Sequence, residues 1–135
     1  MKKLLSLCFI DDDPIYQYMI KRMINKDYQV NKMWNFLNGE EAINYFASHY
    51  MEMENIPDII FLDINMPLVD GWLFLEEFST IKPQINKPVT IYIVTSSTDP
   101  EDIQQANNIK EVAGYLVKPF DSAKLKEILD NHEES

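Results

Sequence analysis

Asp63 follows the apolar run Ile59-Ile60-Phe61-Leu62 and precedes Ile64-Asn65-Met66-Pro67. A carboxylate where a buried strand gives way to a loop lies at the carboxyl edge of a sheet, where open α/β folds hold their ligands. Two other segments repeat the pattern. Leu5-Ser6-Leu7-Cys8-Phe9-Ile10 runs into Asp11-Asp12-Asp13, and Gly114-Tyr115-Leu116-Val117 runs into Lys118-Pro119. Strands ending in an acid pair, a single acid and a lysine bring three carboxylates and an ammonium to one place. Carboxylates crowded this way repel one another and attract a hard divalent cation such as Mg²⁺. The ammonium is then left to meet an anion. The chemistry predicted is phosphoryl transfer.

The elements that must position these groups can be read from periodicity and caps. Asp13-Pro14 starts a helix, with Asp as the cap and Pro in the first turn. Tyr16, Met19, Ile20, Met23 and Ile24 recur at helical spacing and predict one apolar face. Val30 to Phe36 alternates as a strand near a sheet edge, and Asn38-Gly39-Glu40-Glu41 opens a helix through Phe46. The polar stretch from His49 to Asn55 predicts a loop with room for an extra helical turn. Pro57 to Leu62 is the buried third strand, and Asp70-Gly71 turns into a helix carrying Leu73, Phe74 and Phe78. Val89 to Val94 is the fourth strand, rich in β-branched residues. A helix from about Asp99, ending by Ile109, has a thin apolar face, chiefly Ile103 and Ala106. The last helix starts at Asp121 and carries Leu125, Ile128 and Leu129. Five alternating units imply an α/β fold with a doubly wound parallel sheet and right-handed crossovers.

A chain of 135 residues fits one domain over 1–135, with no output domain expected after it. Apolar content of 46% is that of a packed domain rather than a disordered one. The net charge of −10 argues against nucleic acid or an anionic membrane as direct partner. Cys8 reads as a small buried hydrophobe in a reducing compartment, and one Cys supports no disulfide framework. The apolar start is broken at Ser6 and stops at Asp11, too short for a signal peptide or a membrane span. The expected location is cytoplasmic.

The constellation Asp11-Asp12, Asp63, Thr95 and Lys118-Pro119, in this order at successive strand ends, resembles the receiver (CheY-like) domain of two-component response regulators. The likeness covers the chain end to end, as in the stand-alone type. It implies a flavodoxin-like fold with a five-stranded parallel sheet in the order 2-1-3-4-5 and five helices. On this resemblance Asp63 accepts a phosphoryl group from the phosphohistidine of a histidine kinase or phosphotransfer protein. Asp12 and Asp63 would ligate Mg²⁺ through side chains, Asn65 through its backbone carbonyl and Asp11 largely through water. Lys118 would pair with Asp63 and then with phosphoryl oxygens. Thr95 would hydrogen-bond the phosphoryl group, and Tyr115 would be the aromatic switch, presenting a changed surface to a downstream protein target. The sequence leaves the oligomeric state open between monomer and homodimer. The resemblance also puts Asn65 and Ser97 beside the path of a hydrolytic water, implying phosphate loss of intermediate speed. Such a domain is not an enzyme with a turnover substrate; it catalyses only its own phosphorylation and dephosphorylation. No nucleotide cofactor is implied, and the chain has no G-x-G-x-x-G.

Simpler readings stand beside some of these. Asp13, before Pro14, suits a helix cap better than a metal ligand. Thr95 alone is an ordinary β-branched strand end, and Tyr115 can be strand packing as well as a switch. His49 and His132 read as solvated, and the seven Met as core filler. Lys118-Pro119 is an X-Pro step, trans by default but able to be cis. Two other functions share the features. A haloacid-dehalogenase-type hydrolase also uses a strand-end Asp with Mg²⁺, but needs an acid two residues on, where this chain has Asn65. An unphosphorylated receiver-like scaffold would not need the full set of site residues present here.

Overall fold

Residues 4–118 and 122–134 are described in a computed structural model, and they alternate strand and helix throughout. The strands are β1 (Ser6–Ile10), β2 (Lys32–Phe36), β3 (Ile59–Leu62), β4 (Thr90–Thr95) and β5 (Val112–Val117). The helices are α1 (Pro14–Asp27), α2 (Gly39–His49), α3 (Gly71–Ile81), α4 (Pro100–Asn107) and α5 (Ser122–Glu134). All strand pairs are parallel, in the order β2-β1-β3-β4-β5. This is the flavodoxin-like order expected from the sequence. Strand order reverses at β1, so the crevice for a ligand opens beyond the carboxyl ends of β1 and β3.

Alternation of apolar side chains explains the two helical layers. Cys8 and Ile10 of β1, Ile60 and Leu62 of β3, and Ile91 and Ile93 of β4 face Phe46, Phe74, Phe78 and Ala106. Leu7, Phe9, Ile59, Phe61 and Val94 face the other way, onto Ile20, Ile24, Leu125, Ile128 and Leu129. Thus α2, α3 and α4 cover one face, and α1 and α5 the other. The central strands β1 and β3 are buried along their whole length, while the edge strands β2 and β5 are only partly buried.

The helix starts follow local chemistry. Asp13 accepts hydrogen bonds from the amides of Ile15 and Tyr16, at 2.9 and 3.3 Å, with Pro14 in the first turn. Asn38 caps Glu41, Asp70 caps Leu73 and Asp99 caps Glu101, at 2.7, 2.9 and 2.9 Å. Each such oxygen satisfies an amide that the helix itself leaves without a partner. The extra turn in the 49–55 stretch is a short 3₁₀ helix, Met53–Asn55. Gly71 lets α3 press against the loop after β3. A Cβ there would meet Ile64 Cα at 2.6 Å and the Asp63 carbonyl oxygen at 2.8 Å.

Several expectations are corrected. β2 starts at Lys32 rather than Val30, β5 at Val112 rather than Gly114, and α2 runs on to His49. His49 is not free in solvent: its ring stacks on Tyr45 at 4.2 Å and its Nδ1 lies 2.8 Å from the Tyr45 carbonyl oxygen. The methionines are not a core set, since Met19, Met51 and Met53 are exposed and Met66 is buried. The α1 face contains buried Gln17 where Met19 was expected. The Lys118-Pro119 peptide and Asp121 lie outside the described residues.

Leu68, in the loop after β3, has φ 65 and is 94% exposed, so left-handed backbone strain is not offset by burial. Releasing that strain is worth about 1–2 kcal/mol, less about 0.5–1 kcal/mol for the added freedom of glycine in the unfolded chain. Leu68→Gly is therefore expected to raise stability by about 0.5–1 kcal/mol in a urea melt. A lower midpoint would mean that the Leu68 side chain contributes to the fold.

Candidate functional site

The site residues are fixed by the last rungs of the sheet. The Asp11 amide donates to the Phe36 carbonyl at 3.0 Å, extending the β1–β2 ladder by one residue. The Asp63 amide donates to Ile10 at 2.9 Å and the Lys118 amide to Thr95 at 2.8 Å, extending the β1–β3 and β4–β5 ladders in the same way. Three strand pairs thus deliver two acids and the lysine with no slack in the backbone. Asp12 is one step further out and exposed.

Carboxylate oxygens of Asp11, Asp12 and Asp63 lie within 4.8 Å of one another. At that distance two unit charges repel by about 3–4 kcal/mol for an effective dielectric of ~20. Asp11 and Asp63 are buried, at 3% and 5% exposure. Each has one oxygen held by a backbone amide two residues on: Asp13 N to Asp11 Oδ1 at 2.9 Å, and Asn65 N to Asp63 Oδ1 at 3.0 Å. The other oxygens meet Lys118. Its ammonium makes a short ion pair with Asp11 Oδ2 and reaches Asp63 Oδ2 at 3.4 Å. The expectation named Asp63 as the partner of Lys118; the structure gives Asp11 the tighter share. With one ammonium against three carboxylates, the cluster keeps a net negative charge that suits a divalent cation.

The titration behaviour has clear causes. Burial pushes the Asp11 carboxyl above its usual range, and Lys118 pulls against that shift. For Lys118, burial works to lower the pKa, but the hydrogen bond and charge of Asp11 and the charge of Asp63 outweigh it. The ammonium therefore holds its proton beyond the ordinary lysine value of 10.5. The stability it contributes is present at neutral pH and is lost as pH rises through that raised pKa.

Two residues at the site were not singled out as functional by the sequence. The Tyr16 ring lies under the Lys118 ammonium, 4.3 Å from nitrogen to ring centroid, a cation–π contact. Its hydroxyl is buried without a hydrogen-bond partner among the described residues, and burial together with Asp11 and Asp63 raises its pKa. Gln17 is buried beneath the acid turn. Their signal is one of position: both stand in the first turns of the helix that the acid run caps.

Thr95 is fully buried, and its Oγ1 accepts from Asn65 Nδ2 at 3.0 Å and from the Ser97 amide at 3.3 Å. Tyr115 donates through its hydroxyl to the Ser97 carbonyl at 2.9 Å, and Ser97 Oγ donates to Asp102 in α4 at 2.7 Å. A chain of contacts therefore runs from Asn65 through Thr95 and Ser97 to Tyr115 and α4. The Asn65 amide nitrogen and the Ser97 hydroxyl, both expected beside a water path, are engaged in these bonds. Cys8 lies deep in the core, where burial pushes its thiol pKa up and leaves it inert.

The response regulator receiver domain model matches residues 7–130. The chain belongs to that family. A probable C4-dicarboxylate response regulator, DctR of Halalkalibacterium halodurans, is 32% identical over 131 residues, covering 97% of this chain and 52% of that protein. An uncharacterized response regulatory protein of Staphylococcus epidermidis is 29% identical, covering 89% of this chain and 43% of that protein. The chain thus spans about half the length of these curated relatives. A solved two-component response regulator from Cytophaga hutchinsonii superposes with a TM-score of 0.85 at 28% identity, covering 98% of this chain and 100% of that one. As a receiver domain, the chain carries the signal-accepting fold of two-component systems. Among the described residues, no helix is long and apolar enough to cross a membrane.

In this receiver domain Lys118→Met leaves Asp11 and Asp63 facing each other without an ammonium. Breaking a partly buried ion pair in this way is expected to cost about 2–3 kcal/mol. Mg²⁺ should raise the melting temperature of the variant more than that of the wild type, because the ammonium no longer competes for the same carboxylates. Equal melting temperatures without metal would show that Lys118 does not hold the acid cluster.

Proposed function

We propose that Asp63 is the phosphoryl acceptor of this receiver domain, and that the donor is the phosphohistidine of a histidine kinase or phosphotransfer protein. The observation that carries the reading is the meeting of Asp11, Asp12 and Asp63 within 4.8 Å, with the Lys118 ammonium on Asp63 Oδ2. The donor set fits Mg²⁺: hard oxygen ligands, net negative charge, and an exposed Asp12 that leaves room for water. Asp12 and Asp63 would hold the ion through side chains, Asn65 through its backbone carbonyl and Asp11 largely through water. Bound there, Mg²⁺ would supply neutralisation of the charge on the transferring group.

A carboxylate oxygen of Asp63 attacks phosphorus while the N–P bond of the donor breaks. The histidine nitrogen leaves with the bonding pair and takes up a proton from solvent. Attack of one anion on another is otherwise opposed, and Lys118 shifts from the carboxylates toward the phosphoryl oxygens as charge moves there. The Thr95 hydroxyl retains its own proton to donate to a phosphoryl oxygen. Drawing Thr95 toward the new group would strain its bond with the Ser97 amide. Tyr115 and α4 hang on Ser97, so the disturbance would reach the surface that a downstream protein reads. The domain acts on itself and turns over no separate substrate. A haloacid-dehalogenase-type hydrolase is less well supported, because the Asn65 amide cannot carry a proton for general acid or base work.

Incubation with acetyl phosphate and intact-mass measurement tests the acceptor. Wild-type protein is expected to gain one phosphoryl group when Mg²⁺ is present and none with EDTA. Asp63→Asn is expected to gain none under either condition. Phosphorylation of Asp63→Asn to the wild-type level would overturn the assignment.

A further inference from the structure

Gln17 is a polar residue on the core face of α1, 5% exposed, among Ile20 and Ile24. Its Nε2 stands 3.0 Å from the Phe9 carbonyl oxygen, 3.2 Å from that of Asp11 and 2.9 Å from that of Phe36. An amide nitrogen has two hydrogens, so three carbonyls share them. Its Oε1 accepts from Asn35 Nδ2 at 2.7 Å. The carbonyls fix which end of the amide is which: they can only accept, so the nitrogen must face them and the oxygen is turned to Asn35.

The three carbonyls are not equivalent in what they hold. Phe9 is in β1 and Phe36 ends β2, both rigid parts of the sheet. The Asp11 carbonyl belongs to the peptide that joins Asp11 to Asp12. The plane of this peptide governs where the Asp12 carboxylate points relative to that of Asp11. The amide therefore ties the hinge between two acids to the ends of two strands.

We propose that Gln17, anchored at its oxygen by Asn35, is a positioning residue for the divalent cation, setting the relative aim of Asp11 and Asp12. The inference rests on the reading of the acid cluster as a Mg²⁺ site. Gln17 touches no ligand itself. It acts on the metal as outer groups behind ligands do, and loss of such groups costs roughly 10–100-fold in metal affinity.

Calorimetric titration of the full chain with Mg²⁺ alone tests this, without phosphorylation. Gln17→Met keeps length and bulk but removes both donors. Asn35→Ala removes only the group that anchors the amide oxygen and sits on an exposed strand position, so it tests the proposal should Gln17→Met fail to fold. Asn31→Ala is the control; it removes a hydrogen bond to Ser6 Oγ (3.2 Å) at the far end of β1. The expected result is about tenfold weaker Mg²⁺ binding in Gln17→Met, a smaller loss in Asn35→Ala, and wild-type affinity in Asn31→Ala. Wild-type affinity in Asn35→Ala and in folded Gln17→Met would overturn the proposal and leave Gln17 a purely structural residue. An equal loss in Asn31→Ala would overturn it too, by tracing the effect to general loosening. Absence of Mg²⁺ binding in the wild type would instead sink the metal reading on which the proposal rests.

Discussion

Mutual repulsion of Asp11, Asp12 and Asp63 is the constraint around which the molecule is organised. Like charges within 4.8 Å, two of them buried, would move apart in any compliant structure. They do not, because their backbones are extensions of the sheet ladders, and because each buried acid gives one oxygen to an amide two residues on. Lys118 arrives on β5 from the other side of the sheet and takes the remaining oxygens. The parallel order brings all of this about: only with β1 and β3 adjacent do their two terminal acids meet. The residual negative charge suits a hard cation, which in the proposed function would in turn accept an anionic group.

The same rigidity extends from the site toward the surface. Thr95 is buried, with its oxygen shared between Asn65 and the Ser97 amide. Ser97 in turn carries Tyr115 on its carbonyl and Asp102 on its hydroxyl. Under the proposed function, a group attached to Asp63 would add bulk and charge beside Thr95, and a displacement there would pass along this chain of hydrogen bonds. The α4 helix is where such an effect would emerge. It is only eight residues long and buries only Ala106, so little packing holds it against a change in the loop before it.

What was legible in the sequence depended on chemistry that acts locally. Asp13-Pro14, Asn38-Gly39, Asp70-Gly71 and Asp99-Pro100 announce helix starts because a side-chain oxygen beside free amides works in nearly any context. The central strands were legible because burial on both faces leaves only apolar residues. Strand-end acids and lysine then located the site. Edge-strand limits at Lys32 and Val112 were not legible, since partial burial dilutes the alternation that would mark them. Gln17 escapes the pattern because helical periodicity counts apolar residues, and its partners Phe36 and Asn35 come from another strand. Tyr16 fits a packing position in that pattern, and its place under Lys118 depends on β5 arriving overhead. Preference of Lys118 for Asp11 over Asp63 is likewise a matter of tertiary distances that no local pattern carries.

The most direct measurement is chemical trapping of the acceptor. Protein phosphorylated in Mg²⁺ is treated with borohydride, which reduces an acyl phosphate on aspartate to homoserine, and peptides are sequenced by mass. Homoserine is expected at position 63, with aspartate intact at 11 and 12. Homoserine at 11 or 12, with Asp63 unreduced, would contradict the assignment of Asp63 as the nucleophile held between the acid pair and Lys118.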